Sequence, residues 1–121
     1  MRTLPGKVTI LKVGGRSIRR DEAGFLLDPE DWDEDVARVI AEEENITLQD
    51  EHWAIINFIR DYLDAHQVAA DARFAFAFLA EQKNCGKRQA RQHFFKLFPY
   101  GYVKQACKIA GLRQPRAWST G

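Results

Sequence analysis

The 121-residue chain has only two cysteines, Cys85 and Cys107, too few for a disulfide framework. Neither the C-x-x-C nor the H-x-x-x-H spacing occurs, so we expect no structural metal and no cofactor. The apolar runs are far shorter than the roughly 20 residues that cross a bilayer, and residues 1–5 lack the apolar core of a signal peptide. These absences predict a cytoplasmic protein that does not enter the membrane.

The composition is that of one globular domain. Hydrophobic residues make up 45% of the chain and aromatic residues 12%, enough for a core, while 29% charged residues supply a polar surface. We predict a single domain over residues 1–121, with a β-element at 1–27, a helical core at 28–111 and a flexible C-terminal arm at 112–121.

The formal net charge of +1 hides a segregation along the chain. Residues 1–20 hold six bases and no acid, residues 21–66 hold fifteen acids and two bases, and residues 67–121 hold ten bases and two acids. The basic C-terminal part suits a nucleic-acid surface or a docking surface for an acidic protein. It is also compatible with two solvated surfaces that neutralise one another.

The N-terminal part has strand periodicity. Residues 7–13 and 16–20 alternate around Gly14-Gly15, a dipeptide typical of a two-residue hairpin turn. A third short strand is expected at 24–27. Asp28 before Pro29 then predicts the start of a first helix, with an apolar stripe formed by Trp32, Val36, Val39 and Ile40.

A second helix is predicted from a capping box of Thr47 and Asp50 to about His66. Its stripe, which we expect to be the central core, consists of Trp53, Ile56, Ile59 and Leu63. The phenylalanines at 74, 76 and 78 alternate as in a strand, but the alanines between them and the following residues favour a helix. The class is therefore α+β, a small antiparallel sheet followed by about five helices.

The last two predicted helices, 87–97 and 102–110, are joined by four residues and have the proportions of a helix-turn-helix. We predict Lys104, Gln105 and Lys108 on the outer face of the second helix as a surface for DNA or a protein partner. The first helix would add Lys87, Arg88 and Arg91. Basic helix pairs are also common in proteins that never touch DNA, so the pattern alone decides nothing.

The segment Gly-Tyr-Val-Lys-Gln-Ala-Cys-Lys-Ile-Ala-Gly-Leu at 101–112 closely resembles the C-terminal region of the DsrC/TusE family of small sulfur-relay proteins. This family includes the gamma subunit of dissimilatory sulfite reductase. Supporting matches are Glu-His-Trp at 51–53, Phe-Ile-Arg-Asp-Tyr at 58–62 and Leu-Phe-Pro-Tyr-Gly at 97–101. The resemblance implies a β-element packed on a helical domain with a helix-turn-helix-like portion and a flexible arm.

The resemblance also implies a chemistry. In the family a thiol at the next-to-last residue of the arm carries sulfur, and DsrC proper has a second cysteine eleven residues earlier. Cys107 falls on the earlier position, whereas Trp118 occupies the later one. We therefore predict an accessory or regulatory protein of sulfur metabolism that contacts sulfite reductase-like or sulfur-relay proteins, or DNA. The alternative is a persulfide carrier that uses Cys107.

Two interpretations of Cys107 remain open. It is a small buried hydrophobe on a stripe with Val103, Ala106 and Ala110, or an accessible thiol whose pKa is lowered by nearby lysines. Cys85, beside Gly86 in a connecting turn, is expected to be an incidental surface thiol. The three histidines lie far apart in the sequence and indicate no catalytic triad.

Overall fold

The computed structural model describes residues 7–114. Strands β1 (Thr9–Val13) and β2 (Arg16–Arg20) form an antiparallel hairpin. Both turn glycines have positive φ, +54° at Gly14 and +85° at Gly15, as a primed turn requires. One face of the hairpin is buried, through Leu11, Val13 and Ile18.

The third strand predicted at 24–27 is wrong as an element. Only an isolated bridge between Arg20 and Leu26 is present. The Asp21 carboxylate accepts hydrogen bonds from the backbone N–H groups of Ala23 and Phe25, both at 2.9 Å. These bonds hold the chain in a tight turn and leave too few extended residues for a strand.

The first helix starts later than predicted. Asp28 caps only a 3-10 turn, Pro29–Asp31, and α1 (Glu34–Glu43) begins after a second cap, Asp33, whose side chain accepts from Val36 N. The capping carboxylates of Asp28 and Asp33 lie five residues apart, and the backbone at Trp32 between them is extended. The segment is therefore divided into a 3-10 turn and a separate helix. Trp32 therefore lies before α1 and not on its stripe.

Helix α2 (Asp50–His66) is confirmed, but its predicted capping box is wrong. The box is formed by Gln49 and His52 instead of Thr47 and Asp50. His52 Nδ1 accepts from Gln49 N at 3.0 Å, which leaves Nε2 to donate to Leu97 O at 2.9 Å. Burial lowers the pKa of His52, so the neutral imidazole serves a structural purpose.

The stripe of α2 was predicted only in part. Ile56 and Ile59 are fully buried, but Trp53 and Leu63 are partly exposed and lie against the edge of the core. Ile55, which was not predicted, completes the buried face.

Helices α3 (Ala72–Lys83) and α4 (Lys87–Leu97) follow, and the alternating phenylalanines are helical. The chain then forms a π-helical segment, Tyr102–Cys107, within a helical stretch at 101–109. In the part of the chain that the structure describes, the predicted α+β class and the prediction of about five helices are confirmed. Within residues 7–114 no helix is long and apolar enough to cross a membrane. The predicted arm from 115 onward, including Trp118, lies outside the described residues.

Candidate site around Cys107

Cys107 lies at the end of the π-helical segment, in the middle of the core. It is fully buried, as are Ala106, Ile109 and Ala110 beside it in the sequence. Its carbonyl accepts from Leu112 N at 3.2 Å, so the chain after the helix folds back over its last turn. The prediction of a small buried hydrophobe is the one that the structure supports.

The thiol is held in its neutral form. Burial raises the pKa of Cys107 to about 12, and the neighbouring Tyr102 hydroxyl offsets only part of this effect. Tyr102 is itself fully buried and donates to Ala70 O. Burial, together with the nearby Cys107, raises the pKa of this phenol as well. The lysine-activated thiol, the other interpretation of the sequence, is not supported by this geometry.

Two side chains from distant parts of the chain hold the end of this helix. Trp32 Nε1 donates to Ile109 O at 2.8 Å, and Arg60 Nη1 donates to Ala110 O at 3.1 Å. The Arg60 guanidinium also stacks over the Trp32 ring, 4.5 Å from its centroid. Burial lowers the pKa of Arg60. We call Trp32 and Arg60 the clamp.

Gly111 allows the clamp to close. Its φ of +81° is the left-handed conformation predicted for a helix C-cap. A Cβ at this position would lie 2.3 Å from Trp32 Cδ1 and 2.5 Å from Cγ. Any larger residue would therefore push Trp32 away from the helix end, where its indole N–H donates to Ile109 O.

The predicted outer face of the last helix is wrong for two of its three residues. Gln105 is buried; its side chain donates to Glu44 and accepts from Tyr100 N. Lys108 is mostly buried and pairs with Glu44 at 3.1 Å, and its ammonium lies 5.4 Å from the Phe25 ring centroid. Only Lys104 is exposed. The wide π-helical turn gives a residue order around the axis that α-helical spacing does not predict.

The predicted residues on α4 are exposed. Lys87 and Arg88 lie in its first turn, and Arg91 lies over the rings of Phe76 and Phe95 at 5.5 and 5.8 Å. Of the residues predicted to bind a partner, Lys87, Arg88, Arg91 and Lys104 are exposed, while Gln105 and Lys108 make contacts within the domain.

A cavity of about 380 Å³ opens beside the last described residues. Its wall includes Phe25, Val103, Lys104, Lys108 and Gln114. Gln114, the last described residue, is thus part of the wall of this cavity.

Cys85 lies between α3 and α4 and is half-buried, less exposed than predicted. Its backbone N–H donates to Ala80 O at 3.0 Å as part of the turn after α3. Residues 7–114 contain no cluster of three metal-ligating side chains.

Sequence reasoning missed Trp32 and Arg60, which donate to the carbonyls of Ile109 and Ala110, and Tyr102, whose hydroxyl neighbours Cys107. Trp32 was assigned to a helical stripe, and Arg60 appeared only within a family match. An arginine close to the apolar stripe of α2 is the one sequence signal that pointed to a buried partner.

The family model that describes DsrC-like proteins matches residues 12–117. A sulfurtransferase TusE homolog of Haemophilus influenzae is 39% identical over 108 residues, which cover 88% of this chain and 96% of the relative.

Two solved structures share the fold. The oxidized gamma subunit of dissimilatory sulfite reductase, DsrC, from Archaeoglobus fulgidus superposes with a TM-score of 0.81 at 39% identity and covers 90% of this chain and 98% of its own. A chain in the crystal structure of dissimilatory sulfite reductase I gives 0.74 at 31% identity, with 90% and 98% covered. Because the family model spans most of the sequence and these relatives match along nearly their whole length, the chain belongs to the DsrC-like family.

Proposed function

We propose that this protein acts in a cytoplasmic sulfur relay and transfers sulfur through a persulfide on Cys107. The observation that carries the proposal is the near full-length similarity, 39% identity over 88% of the chain, to a protein named as a sulfurtransferase. This similarity favours sulfur transfer over the accessory or regulatory function that the missing arm cysteine predicted. Relay proteins and sulfite reductase-like assemblies are the partner classes.

Cys107 is the thiol to test, because it lies within the family segment at 101–112 and Cys85 does not. In the transfer step its thiolate attacks the outer sulfur of a donor persulfide. A new S–S bond forms at Cys107, the donor S–S bond breaks, and the donor's inner sulfur leaves as a thiolate. No oxidant or reductant is consumed.

The clamp sets the condition for this step. A fully buried thiol with a pKa raised to about 12 is unreactive in the closed domain. Transfer therefore requires the helix end to separate from Trp32 and Arg60, which a docking partner would promote by binding the open form more tightly.

The test is persulfide loading with polysulfide, whose sulfane sulfur is transferred to the thiol without an oxidant, read by mass spectrometry as a gain of about 32 Da, one sulfur atom. The variants are Cys107→Ser and, as the matched control, Cys85→Ser. We expect loading that survives Cys85→Ser, is lost in Cys107→Ser, and increases in Trp32→Phe, which lacks the indole N–H to Ile109 O. Loading that depends on Cys85, or no loading at all, would contradict sulfur transfer by Cys107.

The accessory function is the second candidate, and the burial of Cys107 favours it. Trp118→Cys distinguishes the accessory function from sulfur transfer by Cys107, because it returns a thiol to the arm position that the family resemblance identifies. If the accessory function is correct, only Trp118→Cys passes sulfur to an acceptor thiol. If Cys107 is the carrier, the wild-type chain passes it as well.

DNA binding has weaker support, because Gln105 and Lys108 are engaged inside the domain. Gel shifts at low salt with the wild type and the double variant Lys104→Glu, Lys108→Glu test it, since phosphate contacts are salt-dependent. Binding that is lost in the variant would favour DNA as a partner. Lys104→Glu alone is the cleaner control, because Lys108 also pairs with Glu44.

A further inference from the structure

An exposed aromatic groove runs along the outside of the α2–α3 hairpin. Its aromatic walls are Phe58 and Tyr62 of α2 and Phe74 and Phe78 of α3, and its volume is about 490 Å³. Phe74 is 45% exposed. The groove involves none of the residues of the Cys107 site or the clamp.

The aromatic side chains form a continuous row. Phe58 stacks on Phe78 with ring centroids 4.7 Å apart, and Tyr62 lies 5.8 Å from Phe74. Each helix contributes its rings at a spacing of four residues, so the rings lie on one face of each helix. Isolated exposed apolar side chains are ordinary, but a contiguous aromatic row is typical of an interaction surface.

The two ends of the groove differ in polarity. His66 lies one turn beyond Tyr62, its ring centroid 4.2 Å from that of Tyr62, and marks one end. Glu81 lies nearly one turn beyond Phe78 and marks the other end, because α2 and α3 run in opposite directions. Phe58 and His66 are eight positions apart on the helix, which gives the groove a length of about 12 Å.

The groove, with His66 at one end and Glu81 at the other, is complementary to a second copy of itself. A two-fold axis that exchanges the ends of the groove brings His66 of each copy to the end that holds the other copy's Glu81. The same operation lays one aromatic row against the other. An isologous dimer requires a surface of this kind, in which one patch matches its own rotated copy.

We propose that the aromatic groove is the interface of a homodimer, in which the two aromatic rows pack and His66 of each copy pairs with Glu81 of the other. An imidazole N–H donates to a carboxylate whether or not the ring carries a charge, so the pair needs no particular protonation state of His66. The two pairs fix the antiparallel orientation of the grooves. The dimer leaves the residues of the Cys107 site free for relay partners.

The first experiment is sedimentation velocity of the full chain from low micromolar to near-millimolar concentration. We expect a monomer–dimer equilibrium in the wild type. Phe74→Asp should raise the dissociation constant roughly tenfold or more, since it places a charge in the centre of the apolar interface. Tyr100→Asp is the matched control, because Tyr100 is another exposed aromatic residue, 72% accessible, outside the groove. It should dimerise as the wild type does.

The second experiment exchanges the charges. His66→Glu places two carboxylates at each end of the interface and should weaken the dimer several-fold. The double variant His66→Glu, Glu81→His restores the pairing and should recover most of the affinity. Circular dichroism and unfolding midpoints show whether each variant is folded.

A wild type that stays monomeric at every concentration would overturn the proposal and leave the groove to a different partner. So would a dimer that survives Phe74→Asp in a folded protein, or a double variant that binds no better than His66→Glu.

Discussion

The two cysteines occupy opposite environments in one small domain. Cys107 is fully buried at the end of a π-helical segment, and its pKa is raised to about 12. Cys85 is half-buried in the turn between α3 and α4. The cysteine that matches the family segment is thus the one that solvent cannot reach. A position in a motif and the chemical availability of its thiol are separate properties, and burial decides the second.

The sharpest test of this difference is alkylation. Burial raises the pKa of Cys107 from 9.0 to about 12, so very little of the thiol is ionised near neutral pH. Burial slows the reaction further. We expect iodoacetamide to modify Cys85 in the native protein and to leave Cys107 unmodified until denaturant is added. Equal rates by peptide mass spectrometry would show that the closed helix end is not the dominant state.

Phe94→Ala would disrupt the aromatic core that includes Tyr102, the neighbour of Cys107. The Phe94 ring is fully buried and lies within 6.3 Å of the rings of Phe76, Phe98 and Tyr102. Its removal should cost about 3–5 kcal/mol of unfolding free energy and expose Cys107 to alkylation more than Cys85. Phe95→Ala, which removes a partly buried ring next to it, should cost less in urea unfolding.

Gly111→Ala tests the clamp alone. Left-handed backbone costs a non-glycine residue roughly 1–2 kcal/mol, and the collision with Trp32 adds an overpacking cost of about 1–3 kcal/mol. Gly24→Ala is the matched control, since Gly24 also has a positive φ, +95°, but its nearest side-chain atoms are 3.7 Å from a Cβ. The difference between the two midpoints measures the contact with Trp32. Equal losses would contradict a tight fit at Gly111.

The sequence predicted the elements that depend on local patterns. These are the hairpin turn, helices α2 to α4 and the fold class, which follow from patterns such as Gly14-Gly15 and the spacing of isoleucines. The clamp joins residues 77 and 50 positions apart, Trp32 with Ile109 and Arg60 with Ala110. No local period encodes such pairs. The π-helical turn likewise moved Gln105 and Lys108 off the outer face that α-helical spacing predicts.

Alkaline pH should reduce the contribution of the buried Cys107 thiol to the stability of the fold. The folded pKa of Cys107 is raised, so the unfolded chain releases its proton first, and this contribution to stability is complete below about pH 9 and lost as pH rises toward 12. Each such proton changes stability by at most about 1.4 kcal/mol per pH unit. Cys107→Ala should show a shallower loss between pH 9 and 11 in urea unfolding. Slopes identical to wild type would mean that the thiol ionises as readily in the folded protein as in the unfolded chain.

The smallest expected effects are the losses of stability on replacing Lys104 and Lys108, two lysines that the sequence presented as equivalent. Lys104 is exposed, so Lys104→Ala should change stability by less than about 0.5 kcal/mol. Lys108 donates to Glu44 with both side chains more than four-fifths buried. Lys108→Ala leaves the Glu44 carboxylate with only Gln105 as a donor and should cost about 1–2 kcal/mol. Glu44→Gln in the Lys108→Ala background removes that charge and should recover part of the loss. A double variant no more stable than Lys108→Ala would show that the loss comes from the packing of the lysine stem against Phe25, and not from an unpaired carboxylate.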